Sequence, residues 1–229
     1  MADVFTLSLA AVDILSDVLG INVRRFPFVI PSIGENVDER VDIASAVFTD
    51  LDTRGLLPDG DVAPKVLLGL RLLANYHVAI AVFGTVGGQP VYARVSSDGR
   101  NGVLASRQRQ LLRFELIKPE MLVPAVVGLL PALAAGDGGP VAVGGDAVDA
   151  WVADTLRRPR TGTGYFLVSG RDMAGKETSA PALTWVDTAD GRYAIRGDGN
   201  DTGSARGTFA PADNASIGGH LVELVHVVL

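Results

Sequence analysis

The chain has 229 residues, of which 48% are hydrophobic and 20% charged, a balance that predicts a folded protein with a sizeable core and excludes a disordered one. Its formal net charge of −6 argues against general nucleic-acid binding, because no basic run is available to follow a phosphate backbone. The sequence has no cysteine, which excludes disulfides, cysteine-ligated zinc and thiol catalysis.

Helical spacing of apolar residues predicts three helices before residue 77. They cover residues 7–19, about 36–54 and about 61–76. Gly20 ends the first, an extended stretch confined by two prolines follows, and Pro64 is tolerated in the first turn of the third. The second is capped by Asn36 or Ser32, and its apolar positions are Val37, Val41, Ala44, Val47, Phe48 and Leu51.

A four-stranded antiparallel meander is predicted next, because short runs rich in Val, Leu and Tyr alternate with Gly-Gly and Asp-Gly turns. The strands are expected at 78–83, 91–95, 103–107 and 111–117, with a Gly-rich turn at 84–90. The last strand alternates apolar and charged residues, so Leu112 and Phe114 should face a core. An apolar helix is expected at 121–135, too short to span a membrane.

The pattern then repeats after a Gly-rich joint. A helix is expected at 146–158, strands at 165–169, 182–187, 192–196 and 207–209, and a last helix at 214–228. The triplets that begin at Asp98 and Asp190 are both Asp-Gly-Arg and lie 92 residues apart, and the same offset relates Ile117 to Phe209 and Pro119 to Pro211. We therefore predict an internal duplication with a pseudo-two-fold axis, in which two such meanders pair and hide their edges.

The predicted class is α+β, with two quasi-symmetric halves, each a mainly antiparallel four-stranded meander flanked by helices, packed as one domain. The expected boundaries are 1–135 for the N-terminal half, 136–145 for the joint and 146–229 for the C-terminal half. Leu183 and Trp185 of the second meander are expected in the core, like their counterparts in the first.

The motifs that could carry chemistry are incomplete. Residues 170–176 resemble a phosphate-binding P-loop, but Glu177 stands where Mg²⁺ coordination needs Ser or Thr, and the segment joins two strands, so a hairpin turn is predicted. Residues 198–203 resemble a fragment of a calcium loop without its distal glutamate. His220 and His226 lie at the wrong spacing to share a metal. No catalytic residue, cofactor or metal is therefore expected, and without a visible secretory signal we expect a cytosolic protein.

Several stretches, in this order, resemble the EspG family of cytosolic chaperones associated with ESX (type VII) secretion. They are residues 7–20, 32–34 with 38–40, 51–56, 164–168, 183–193 and 209–213. The resemblance implies one α+β domain, no catalysis, and binding of PE–PPE-type heterodimers in the cytosol, where the chaperone covers the apolar tip of the PPE helical bundle. It also implies no nucleic-acid partner, no membrane insertion, and a monomer or weak homodimer when free.

The partner-binding residues are predicted to be Val86, Gln89, Tyr92 and Arg94. Val86 has no obvious core to join, and Tyr92 and Arg94 alternate away from the apolar residues of their strand. Tyr and Arg are frequent interface anchors, and the turn that carries Val86 resembles the family's partner loop in position, though it is shorter.

Two other functions remain open on the sequence alone. One is a small-molecule-binding or enzymatic α+β protein with a pocket between the two sheets, which should show titratable groups converging in a cleft. The other is a structural subunit that assembles with its own copies through a sheet face.

Overall fold

The structure, a computed structural model, describes residues 3–144, 149–197 and 206–229. Within these ranges eleven strands form a mainly antiparallel sheet accompanied by six α-helices, which confirms the predicted α+β class. The strands are β1 (Val4–Ser8), β2 (Val78–Val86), β3 (Gln89–Ser97), β4 (Gly102–Gln108), β5 (Leu111–Ile117), β6 (Val141–Val143), β7 (Arg160–Arg171), β8 (Glu177–Ser179), β9 (Leu183–Thr188), β10 (Gly191–Gly197) and β11 (Gly207–Pro211). The helices are α1 (Leu9–Val18), α2 (Val37–Thr53), α3 (Pro64–Ala74), α4 (Leu122–Val127), α5 (Ala150–Arg157) and α6 (Asn214–Val228).

Two compact units share these elements. The first comprises Met1–Tyr76 and Ala93–Leu122, and the second comprises His77–Tyr92 and Val123–Leu229. The halves predicted at 1–135 and 146–229 rest on an internal duplication of the sequence. That duplication and its pseudo-two-fold axis stay predictions.

In the first unit the strands lie in the order β1, β5, β4 and the part of β3 that begins at Ala93. Phe5 of β1 pairs with Phe114 of β5, and their rings stack with centroids 4.9 Å apart. Helix α3 lies close against these rings, because a Cβ added to Gly69 would stand 2.8 Å from Phe5 Cζ. Leu112 and Phe114 are fully buried, which confirms the predicted face of β5.

A buried carboxylate fastens the irregular segment between α1 and α2. Asp13 of α1 accepts hydrogen bonds from the guanidinium groups of Arg24 and Arg40, the latter at 2.9 Å, and from the backbone N–H of Ile33 at 3.0 Å. Since its side chain is fully buried, these donors supply the compensation that a buried charge requires. The predicted cap of α2 is confirmed, because the Asn36 side chain accepts from the backbone N–H of Glu39.

In the second unit the order is β2, β7, β9, β10, β11, β6, and β8 pairs with β7. The rings of Tyr193 and Phe209 stack with centroids 5.1 Å apart, and Trp151 meets both rings edge-on. Leu183 and Trp185 are fully buried, as predicted. Helix α6 packs on β7, and its bounds agree with the predicted 214–228.

The predicted helix at 121–135 is wrong in length, because α4 ends at Val127. Beyond Pro131 the chain runs beside β10, where the N–H of Arg192 donates to Ala134 O at 2.9 Å and the N–H of Gly136 donates to Arg192 O at 3.0 Å. A proline disfavours helix before it and cannot donate within it, so the backbone beyond it takes its partners from β10 instead.

The other corrections concern element ends and short strands. The first helix begins at Leu9, since residues 4–8 pair with β5 as strand β1. Strands β6 and β8 are short and were not predicted. Helix α5 begins after its cap Asp149, and the predicted start at 146 lies outside the described residues, as does the loop at 198–203.

Candidate partner-binding site

The β2–β3 hairpin carries all four residues predicted to bind a partner, since Val86 ends β2 and Gln89, Tyr92 and Arg94 lie on β3. The predicted turn at 84–90 is shorter in the structure, because β2 continues to Val86 and β3 begins at Gln89. Gly87 and Gly88 make the turn with φ of +56° and +76°, the left-handed conformation that a two-residue hairpin turn requires and that glycine adopts without strain. Val86 at the end of β2 is half-buried, and Gln89 is exposed.

Tyr92 belongs to a row of aromatic rings on one face of the second unit. Its ring lies 5.1 Å from that of Phe83 on β2, and Phe83 lies 5.5 Å from Tyr165 on β7. Phe83 and Tyr165 are partners in the β2–β7 register, and Tyr165 is also the partner of Thr184 on β9. Since paired residues share a face, these strands present one aromatic and threonine-bearing surface.

A groove of about 420 Å³ lies on this surface, and we call it the hairpin groove. Its lining residues come from β2, β3, β7 and β9: Phe83, Gly84, Thr85, Tyr92, Thr163, Gly164, Tyr165 and Thr184. The lining carries no carboxylate, imidazole, amine or guanidinium side chain. Its chemistry is therefore apolar contact with hydroxyl groups at its margin, which suits the capture of apolar side chains better than acid–base chemistry.

Two glycines form the floor of the hairpin groove because the strands are packed tightly behind it. A Cβ at Gly164 would stand 2.3 Å from Trp185 Cη2 and 2.4 Å from Phe83 O, and a Cβ at Gly84 would stand 2.3 Å from Thr163 O. The fully buried Trp185 ring thus lies against the opposite side of these strands. This packing makes the groove a preformed feature of the sheet.

Arg94, the fourth predicted residue, belongs to the first unit and not to the groove. It is 5% exposed, donates a hydrogen bond to Phe26 O at 3.0 Å and lies 4.6 Å from the centroid of the Tyr76 ring. Its guanidinium therefore offers little surface to a partner in this conformation and instead contacts the fold around it.

Sequence reasoning did not assign Phe83, Tyr165 or the threonines of the groove to a binding site. The relevant pattern was the alternation of Tyr165 with Phe166 on β7, since only Phe166 is fully buried. That alternation does not show what surrounds the face of β7 that carries Tyr165, because its neighbours on that face come from β2, more than 75 positions earlier in the chain.

The segment that resembles a P-loop is a hairpin turn, as predicted. It connects β7 to β8, and the Arg171 and Glu177 side chains form an ion pair across it at 2.9 Å. Met173 at its tip is fully exposed.

We expect Lys176→Ala to leave the melting temperature unchanged. We also expect no ATP binding that depends on the Lys176 side chain. Lys176 is exposed, and its contact with Asp172 uses its backbone N–H, at 2.9 Å, which alanine retains. Thermal melts of both proteins with and without Mg-ATP test this. Saturable ATP binding that disappears in the variant would contradict the hairpin interpretation.

The histidines do not form a metal site in the part of the chain that the structure describes, where no group of three or more metal-ligating side chains is found. Burial and the nearby Arg196 lower the pKa of His220, so its imidazole is neutral at pH 7.

Among the described helices, none combines the length and the apolarity that crossing a bilayer requires.

Comparison with known proteins finds a match to a family model and matches to solved structures. The model of the EspG family matches residues 8–223 of the chain. The structure of the Mycobacterium tuberculosis type VII secretion system chaperone EspG5, in complex with a PE25–PPE41 dimer, is similar over 99% of this chain and 97% of that chain, with 14% sequence identity and a TM-score of 0.66. At this identity the structural likeness shows a common fold. No curated protein matches the sequence.

Proposed function

Because this chain belongs to the EspG family, we propose that it is a cytosolic chaperone of type VII secretion that binds a PE–PPE-type helical heterodimer and keeps it soluble. The structurally similar EspG5 is a chaperone of that system in complex with such a dimer. The proposed chaperone acts by binding, needs no cofactor, and is a monomer or weak homodimer when free.

The observation that carries this proposal is the hairpin groove. A helical bundle with an apolar tip self-associates in water unless another surface covers the tip. Phe83, Tyr92 and Tyr165 offer a large apolar area with few rotatable bonds, and the threonine hydroxyls can pair with backbone groups at a helix end. Preformed pockets of this kind are where binding energy concentrates in protein interfaces.

We propose that Val86 and Gln89 extend this surface along the hairpin, with Tyr92 as its central anchor. Val86 is half-buried and Gln89 exposed, so both can gain contacts with a partner. Arg94 has little exposed area, and we assign it an indirect part, in which its contacts with Phe26 and Tyr76 hold β3 in place.

The decisive variant is the triple substitution Val86→Asp, Gln89→Ala and Tyr92→Ala. We expect it to reduce affinity for a co-expressed PE–PPE heterodimer from the source organism at least roughly a hundredfold, because a charge and two truncations fall in the centre of the interface. Size-exclusion chromatography of the co-purified complex, followed by titration calorimetry, measures the effect. The circular dichroism spectrum should be unchanged.

Met173→Asp is the matched control, since it also places a charge at an exposed hairpin turn of the second unit and should leave capture intact. Native affinity in the triple variant would move the interface elsewhere on the chain. Failure of the wild-type chain to bind any PE–PPE pair, combined with a small molecule retained in native mass spectrometry, would favour the ligand-binding alternative, for which the volume of the groove is sufficient.

A further inference from the structure

A second apolar surface lies in the first unit, between α1 and α2. The predicted apolar stripe of α2 is only partly buried: Val47 and Leu51 are in the core, whereas Val37 is 77% exposed and Val41 61%. Val18 at the end of α1 is 61% exposed as well. Three exposed valines on two contacting helices form a patch, whereas single exposed apolar residues need no explanation.

The valines surround a cavity of about 230 Å³, which we call the valine groove. It is lined by Ile14, Asp17, Val18, Val37, Arg40, Val41 and Ala44. Val37, Val41 and Ala44 are spaced i, i+4 and i+7 along α2, so they follow about two helical turns, or roughly 10 Å. An apolar furrow between two helices admits a third helix by ordinary ridge-and-groove packing.

The rim of the valine groove is acidic. Asp38 and Asp42 are exposed on α2 beside the valines, and the Asp17 side chain on α1 is 58% exposed. Arg40, the cation of the lining, is already engaged, because it donates to the carboxylates of Asp13 and Asp17 and to Ile33 O. Since Arg40 balances the charge of Asp17, the negative charge left facing outwards is that of Asp38 and Asp42.

These charges select the occupant. Two copies of the chain meeting through this groove would bring like-charged rims together, and the chain as a whole carries a net charge of −6, which opposes such a contact. An anionic membrane surface is repelled for the same reason. We propose that the valine groove docks an amphipathic helix of a partner protein, with apolar residues at i, i+3 or i+4, and i+7 flanked by Lys and Arg.

The test uses the full chain and a synthetic peptide of about four helical turns, with leucines at that spacing and lysine on the remaining positions. A second peptide has glutamate in place of every lysine. Fluorescence anisotropy should show that the lysine peptide binds roughly tenfold or more tightly than the glutamate peptide, and that salt weakens its binding. Equal binding of the two peptides would overturn the proposal.

Variants assign the binding to the groove. Val37→Ser with Val41→Ser should weaken the lysine peptide roughly tenfold, while the melting temperature stays the same because both side chains are exposed. Asp38→Lys with Asp42→Lys should reverse the preference in favour of the glutamate peptide. Asp52→Lys, the same charge change at an exposed position of α2 distant from the lining, should change affinity no more than about twofold.

Wild-type binding by the serine variant would overturn the proposal. Sedimentation velocity distinguishes the other occupant: a dimer of the wild-type chain that is lost in the serine variant would assign the groove to a second copy and would overturn the partner-helix proposal as well.

Discussion

Replacing Asp187 with alanine should destabilise the protein by about 3–5 kcal/mol, because it leaves the charge of Arg192 buried without a counter-ion. Both side chains are almost completely inaccessible. Arg192 Nε donates to one carboxylate oxygen of Asp187 at 2.6 Å and Nη2 to the other at 2.9 Å. A bidentate pair of this kind is among the strongest charge-assisted contacts.

The same guanidinium connects three parts of the second unit. Arg192 lies on β10, and besides Asp187 it donates to the Asn214 side chain at the start of α6 and to Pro131 O at 3.2 Å. Loss of the carboxylate should therefore loosen the seating of α6 as well as β10. Urea titrations measure the change in the free energy of unfolding, and amide hydrogen exchange in α6 reports the local effect.

Arg158→Met is the matched control for the ion pair. Arg158 pairs with Asp190 and Asp154 on the surface, where solvent screening leaves such pairs with little effect on stability. Replacing Asp187 and Arg192 together, by Ala and Met, should recover most of the lost stability, since no charge is then left buried. A single Asp187→Ala variant as stable as the Arg158→Met variant would show that the pair does not anchor this unit.

Phe114→Ala should lower stability by about 3–5 kcal/mol, the usual cost of truncating a fully buried phenylalanine. Its ring stacks on Phe5 and lies close to Gly69 of α3. The alanine variant would therefore leave a cavity beside the backbone of α3, which cannot move freely to fill it. A loss of this size corresponds to a fall in melting temperature of about 10 °C for a chain of this length.

Leu111→Ala on the same strand serves as the control, because Leu111 is 43% exposed and its truncation should cost less than about 1 kcal/mol. Circular dichroism melts of the two variants side by side give the comparison. If both fall equally, the buried face of β5 is assigned wrongly, and with it the register of β1 against β5.

Elements with a complete local pattern could be predicted closely. The bounds of β5 agree with its alternation of apolar and charged residues, and α6 begins where Asp213 accepts from the backbone N–H of Ser216. In both, the residues that decide the structure lie next to each other in the chain, since strand alternation and helix caps are local properties.

Elements that depend on a distant partner could not be predicted from the sequence. β1 has an apolar pattern that suits a strand or the start of a helix, and its pairing with β5 decides between them. The stretch at 121–135 is apolar enough for one long helix, yet its second half pairs with β10 around Arg192. No single segment of the sequence decides between these alternatives, because the structure that forms is stabilised by residues tens of positions away.

The candidate site divides in the same way. The Gly-Gly turn, the class of the fold and the family of the chain follow from the amino-acid sequence, since glycines at a two-residue turn and the order of motifs are properties of the chain itself. The tertiary structure alone decided that Arg94 is buried over Tyr76 while Tyr92 joins Phe83 and Tyr165 at a groove, and that Val37 and Val41 stay exposed. Burial depends on which strand or helix covers each face, and that covering is contributed by the rest of the chain.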